Sequence, residues 1–128
     1  MLLLTFLLGM RIGQIRVIFS IPESQIKTLF SSGHVPPRHL AYVEWFSRFS
    51  AHPDPNLKMY KVSRSFANEE RLASIIPVSL IQCSVHLFPK WGHNSDIIHS
   101  WTSSNVLEEC QVFYLNSFKD HHTYYNVY

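Results

Sequence analysis

The run from Gly13 to Ile21 alternates at period two, with Ile15, Val17, Phe19 and Ile21 on one face and Gln14, Arg16 and Ser20 on the other beside Ile18. Alternation rich in β-branched residues predicts a half-buried strand. Pro22 ends it, and Ile26, Leu29 and Phe30 follow at helical spacing, which predicts one short amphipathic helix. Leu40–Phe46 is a second strand. It sets Leu40, Tyr42, Glu44 and Phe46 against Ala41, Val43 and Trp45, and apolar groups on both faces place it in the middle of a sheet.

The remaining pattern is punctuated by turn chemistry. Gly33 with Pro36-Pro37 marks a loop over 31–38, and AHPDPN (51–56) is a turn, because two prolines break any ladder. Strand character resumes over 57–63, 72–78 and 81–88, the last two kinked apart near Pro77, while 66–71 reads as a polar connection. A long polar loop follows over 89–101. Ser103 or Ser104 is the expected cap of one helical turn running to Glu109, and strands over 110–116 and 123–128 complete the count. The sum predicts an all-β domain, a small barrel-like or sandwich fold with one or two short helices. Its expected core is Ile15, Val17, Phe19, Val43, Trp45, Val85, Leu87, Val112 and Tyr114.

At 128 residues the chain holds one domain, and its 14% aromatic content excludes a disordered polar chain. Four scattered glycines exclude a phosphate-cradling loop. The net charge of +2 hides an asymmetry: residues 1–64 carry eight Lys/Arg against three Asp/Glu, and residues 65–128 carry three against six. A basic first half suits an anionic partner. The apolar MLLLTFLLGM is too short to span a bilayer and lacks the leading charge of a secretion signal, so it reads as a strand or an extension. Cys83 and Cys110 are then reduced, buried thiols.

Six blocks carry a resemblance: GQIRVIFSIP (13–22), HLAYVEWFSRFS (39–50), MYKVSRSF (59–66), ASIIPVSLIQCSVHLFPKWG (73–92), WTSSNVLEECQVFYLNSF (101–118) and YYNVY (124–128). In this order they resemble the C-terminal region of transposase-like proteins of fungal CACTA-type mobile elements, the Plavaka group of basidiomycetes. The resemblance covers residues 11–128 as a single β-rich domain. It departs over 89–100 and over 1–10, which stands apart as a frayed N-terminal extension. It implies a truncated, non-catalytic accessory or interaction domain outside the catalytic core, with DNA or the rest of a transposase complex as partner and a nuclear location. A second resemblance, in layout alone, is to bromo-adjacent homology modules, which bind chromatin proteins.

Candidate chemistry is sparse. A transposase nuclease needs three carboxylates around two metals, and only Glu44 sits firmly within a strand, so a metal-dependent enzyme is the third and weakest reading. Cys83-x2-His86 with Cys110 and His121 or His122 has a zinc-like composition, but residues three apart on a strand face opposite ways. No metal, cofactor, small-molecule substrate or membrane is therefore expected. The constellation carried forward is Lys58, Tyr60 and Arg64, sharing one face of an extended segment, with Arg48 and Lys61 nearby. Cations around an aromatic ring suit phosphate contact and base stacking. Tyr42, Trp45 and Trp91 form an alternative, an aromatic cage for methyl-lysine.

Overall fold

A computed structural model describes residues 2–6, 9–30, 33–92 and 100–119. Among these residues, ten strands and two short α-helices make a mainly-β domain, as the alternation requires. A five-stranded antiparallel sheet is built from β1 (Leu2–Phe6), β2 (Gly9–Phe19), β3 (Leu40–Trp45), β7 (Ala73–Pro77) and β8 (Ile81–Ser84), in the order β7-β3-β2-β1-β8. A second sheet orders β4 (Lys61–Ser63), β10 (Val112–Leu115) and β9 (Leu87–Pro89) as β4-β10-β9. A hairpin pairs β5 (Phe66–Ala67) with β6 (Glu70–Arg71). All three sheets are open among the described residues. The helices are α1 (Glu23–Leu29) and α2 (Val106–Glu109).

Two apolar clusters lie on opposite faces of β3. Ala41, Val43 and Trp45 join Ile76 on one side, while Phe46 joins Ile12, Val62, Val85, Cys110, Phe113 and Leu115 on the other. This second cluster glues the five-stranded sheet to the three-stranded one, with Phe46 edge-on to Phe113 at 5.7 Å between centroids. Segment 1–10 supplies β1, which lies between β2 and β8.

The expected core holds at Val43, Trp45, Val85 and Tyr114 but needs correction at Val17, which is 49% exposed. A β-bulge is the reason: the register runs Ile15↔Val43 and then Val17↔Tyr42, so Arg16 is an extra residue. Unbulged, Val17 would face Ala41 on the buried side; the bulge turns it over. Ile12, Phe46, Val62, Phe113 and Leu115, absent from the expected core, are among its most buried side chains.

Other boundaries shift for local reasons. The strand expected over 57–63 begins only at Lys61, because Lys58 adopts a left-handed φ of 53°. The expected polar connection at 66–71 is a tight hairpin turning at Asn68 and Glu69, both with positive φ (50° and 68°), the requirement of a type I′ turn. The cap of α2 is Asn105, not Ser103 or Ser104; its Oδ1 instead accepts from the Thr102 N–H at 2.6 Å. The strand expected over 123–128 lies outside the described residues.

Candidate functional site

Glu44 faces the same side of β3 as Tyr42 and Phe46, and its side chain is only 12% exposed. A carboxylate placed there must be neutralised by partners brought from elsewhere in the fold. Arg16 reaches it from the β2 bulge (Nε–Oε1 3.2 Å) and Arg71 from β6 (Nη1–Oε2 2.9 Å). Arg64, whose backbone bridges Phe46 just beyond β4, lies 3.9 Å from Glu44 Oε2 with its side chain 1% exposed. Glu108 of α2 closes the ring: Arg16 Nη1 donates to Oε1 at 2.6 Å and Arg71 Nη1 to Oε2. Three arginines and two glutamates thus converge from five separate segments.

Arg64 is the most constrained member. Its Nη2 donates to Gln14 Oε1 and to the Leu107 carbonyl, and its guanidinium stacks 4.3 Å from the centre of the Phe46 ring. Its Nε and Nη1 have no hydrogen-bond acceptor. Burial, and then the charge of Arg71, push its pKa down to about 10, so it stays cationic at neutral pH. Glu108 shows the opposite balance. Burial alone would raise its pKa, but the hydrogen bonds and charges of Arg16 and Arg71 outweigh that and hold it at about 2. Arg71 likewise would lose basicity by burial, yet its bonds to Glu44 and Glu108 raise it above its ordinary value. The cluster pins α2, the β5–β6 hairpin and the β2 bulge to one strand.

The residues expected to form a basic face are dispersed. Arg48 and Lys58 are exposed, Tyr60 is half-buried against Phe49 at 5.9 Å, and Lys61 pairs with Asp54 at 3.3 Å while lying over the Tyr114 ring. Arg64 is turned inward, away from any phosphate. The shared face therefore fails, because the left-handed Lys58 breaks the extended run and Arg64 is claimed by the cluster. Asp54 organises the intervening turn, accepting the Asn56 and Leu57 N–H groups at 3.0 and 3.1 Å; the Leu57 bond leads in lowering its pKa. Arg48 also sits close enough to Arg11 for its charge, after burial, to lower the Arg11 pKa.

The aromatic cage does not assemble. Tyr42 and Trp45 project from opposite faces of β3, Trp45 is 4% exposed, and Trp91 stands 5.8 Å from Trp101. Cys83 on β8 and Cys110 beyond α2 are not joined in a disulfide, burial raises the Cys110 pKa, and His121 and His122 lie outside the described residues. Among the described residues, no three His, Cys, Asp or Glu side chains are grouped to hold a metal, and no helix is long and apolar enough to cross a membrane. The chain matches no protein-family model, no curated protein and no solved structure.

The charge cluster was not read from the sequence, although one signal was present. Glu44 is a lone carboxylate in a strand that is apolar on both faces, and such a residue has to find a cation. Which cations it finds depends on chain crossings that no local pattern encodes.

Proposed function

We propose that this chain is a non-catalytic accessory domain of a transposase-like protein, holding a macromolecular partner rather than performing chemistry. The observation that supports it best is the fate of Glu44 and Glu108. These carboxylates converge, as those of a nuclease would, but on Arg16, Arg64 and Arg71. A divalent cation entering there would face three guanidinium charges and displace ion pairs already made. The resemblance of residues 11–128 to the C-terminal region of fungal Plavaka-type transposases supplies the setting, with DNA close at hand. Of the residues expected to form a basic face, Arg48 and Lys58 are the exposed ones, and two such cations make any DNA contact weak and largely indifferent to sequence.

Two assays test this reading. Binding to a fluorescent duplex should be weak and fall with salt, and Arg48→Ala or Lys58→Ala should each lower the log–log salt slope by about 0.9. Incubation with supercoiled plasmid and Mg²⁺ or Mn²⁺ should leave the plasmid intact. Metal-dependent nicking that disappears in Glu44→Gln would overturn the proposal. A salt slope unchanged in both cation variants removes DNA from the partner list.

A further inference from the structure

The hydrogen-bond phase of the β3–β7 ladder exposes something its pairing alone does not. Val78 N–H donates to the His39 carbonyl at 3.0 Å, and Trp45 N–H donates to the Leu72 carbonyl at 2.8 Å. Both pairs continue the register that sets Leu40 against Pro77 and Glu44 against Ala73. Antiparallel ladders alternate bonded and non-bonded pairs, so between these ends Ala41–Ile76 and Val43–Ser74 are the bonded ones. Ala73, Ile75 and Pro77 therefore turn their main-chain groups away from β3. Pro77, which has no N–H to offer, falls on this outward side, where an edge strand tolerates it. β7 is the terminal strand of its sheet.

The side chains beside this edge are unusual for one left open. Val17, Tyr42 and Ile75 lie in one row across three strands and are 49%, 38% and 59% exposed. Proteins usually guard such edges with charge, and here the central edge residue is isoleucine. The neighbouring row, Gln14–Glu44–Ala73, is overlaid by the Arg71 guanidinium, 2.9 Å from Glu44. Three arginines against two glutamates leave that cluster one positive charge in excess, with Arg71 and Arg16 side chains 25% and 37% exposed.

We infer that β7 is a strand-addition site for an extended segment of a partner protein that carries an apolar and an acidic residue two positions apart, on one face. An added strand would bond to the outward amide and carbonyl groups of Ala73 and Ile75. Its residue beside Ile75 extends the apolar row, and its residue beside Ala73, two positions along, meets the Arg71 end of the cluster. A carboxylate there supplies the missing negative charge. A second copy of this chain fits less well, because β7 and the residues after it, ASIIPVSL, carry no acid to place opposite Arg71. The inference rests on the domain being an interaction module, and it names the partner's chemistry.

The test is a titration of the isotope-labelled full chain with a blocked heptapeptide of threonines carrying Val at its second and sixth positions and Glu at its fourth, against the same peptide with Lys at the fourth. The acidic peptide should bind at least about tenfold tighter, shift the Ala73 and Ile75 amides, and slow their hydrogen exchange. Ile75→Lys should lose that binding at least about tenfold while melting like the wild type, since the position is exposed. Equal response to both peptides, or shifts centred elsewhere, overturns the inference. Concentration-dependent shifts at Ile75 without peptide would assign the edge to a second copy and overturn it too. Failure here leaves the accessory-domain reading standing, whereas plasmid cleavage would remove that reading and leave the edge to be judged by the peptides.

Discussion

Glu44→Gln replaces the central carboxylate with an amide of the same shape and leaves Arg64 buried against Phe46 with Glu108 as its remaining counter-charge among the described residues. At an effective dielectric near 20, a unit pair about 4 Å apart is worth roughly 4 kcal/mol before desolvation. Glu44 sits within 2.9–3.9 Å of nitrogens from three arginines. Arg16 is exposed enough for water to screen its share, whereas Arg64, at 1% side-chain exposure, has no such recourse. Breaking a buried pair from one side costs about 3–5 kcal/mol, and the partial exposure of Arg16 and Arg71 places the expected loss near 3. Urea unfolding followed by circular dichroism measures it directly, with the m-value as a check that the transition stays two-state. The companion variant is Arg64→Met, whose stem still packs on Phe46 without burying a charge. In that background Glu44→Gln should cost about 1 kcal/mol less or better, because the ion left stranded is no longer there. Losing the donors to Gln14 and Leu107 appears on both sides of the cycle and cancels. A Glu44→Gln loss below about 1 kcal/mol, or additivity within about 0.5 kcal/mol, would refute the view that this cluster holds the elements together.

Glu108 makes the same cluster acid-sensitive. Its folded pKa of about 2 lies below the ordinary 4.5, so its stabilisation is complete above pH 4.5 and is lost as pH falls toward 2. The full shift would be worth about 3 kcal/mol, which 35% side-chain exposure reduces to about 1; the gap between wild type and Glu108→Gln in unfolding free energy, measured by urea, should narrow by that amount between about pH 5 and about pH 2. Trp45→Ala should cost about 3–5 kcal/mol, since it empties a 4% exposed site and removes the indole N–H donation to Ser74 at 2.7 Å, and an unchanged melting temperature would contradict that packing. Glu69→Gly should raise stability by about 0.5–1 kcal/mol by relieving a left-handed φ of 68° in the hairpin turn, while a loss would show that the Glu69 side chain supports the turn.

Period-two alternation, the proline and glycine breaks and the aromatic load were enough to make this a mainly-β domain with short helices, because those signals act within a few residues of one another. The central position of β3 was legible for the same reason: a strand apolar on both faces has to be covered twice. A single bulge at Arg16 undid the facing of Val17, since one inserted residue reverses every side chain beyond it and leaves no mark in composition. Lys58 and Arg64 share an extended face on paper, but the left-handed backbone at Lys58 breaks that face. The inward turn of Arg64 follows from its bridge to Phe46, 18 positions earlier. The charge cluster was beyond local reading altogether, as Arg16, Glu44, Arg64, Arg71 and Glu108 meet only after two sheets, a hairpin and a helix have packed. Local sequence fixes which residues prefer strands and turns within a few bonds' reach. Which charge neutralises which, and which strand is left with an open edge, are settled by long-range crossings that depend on the whole chain at once.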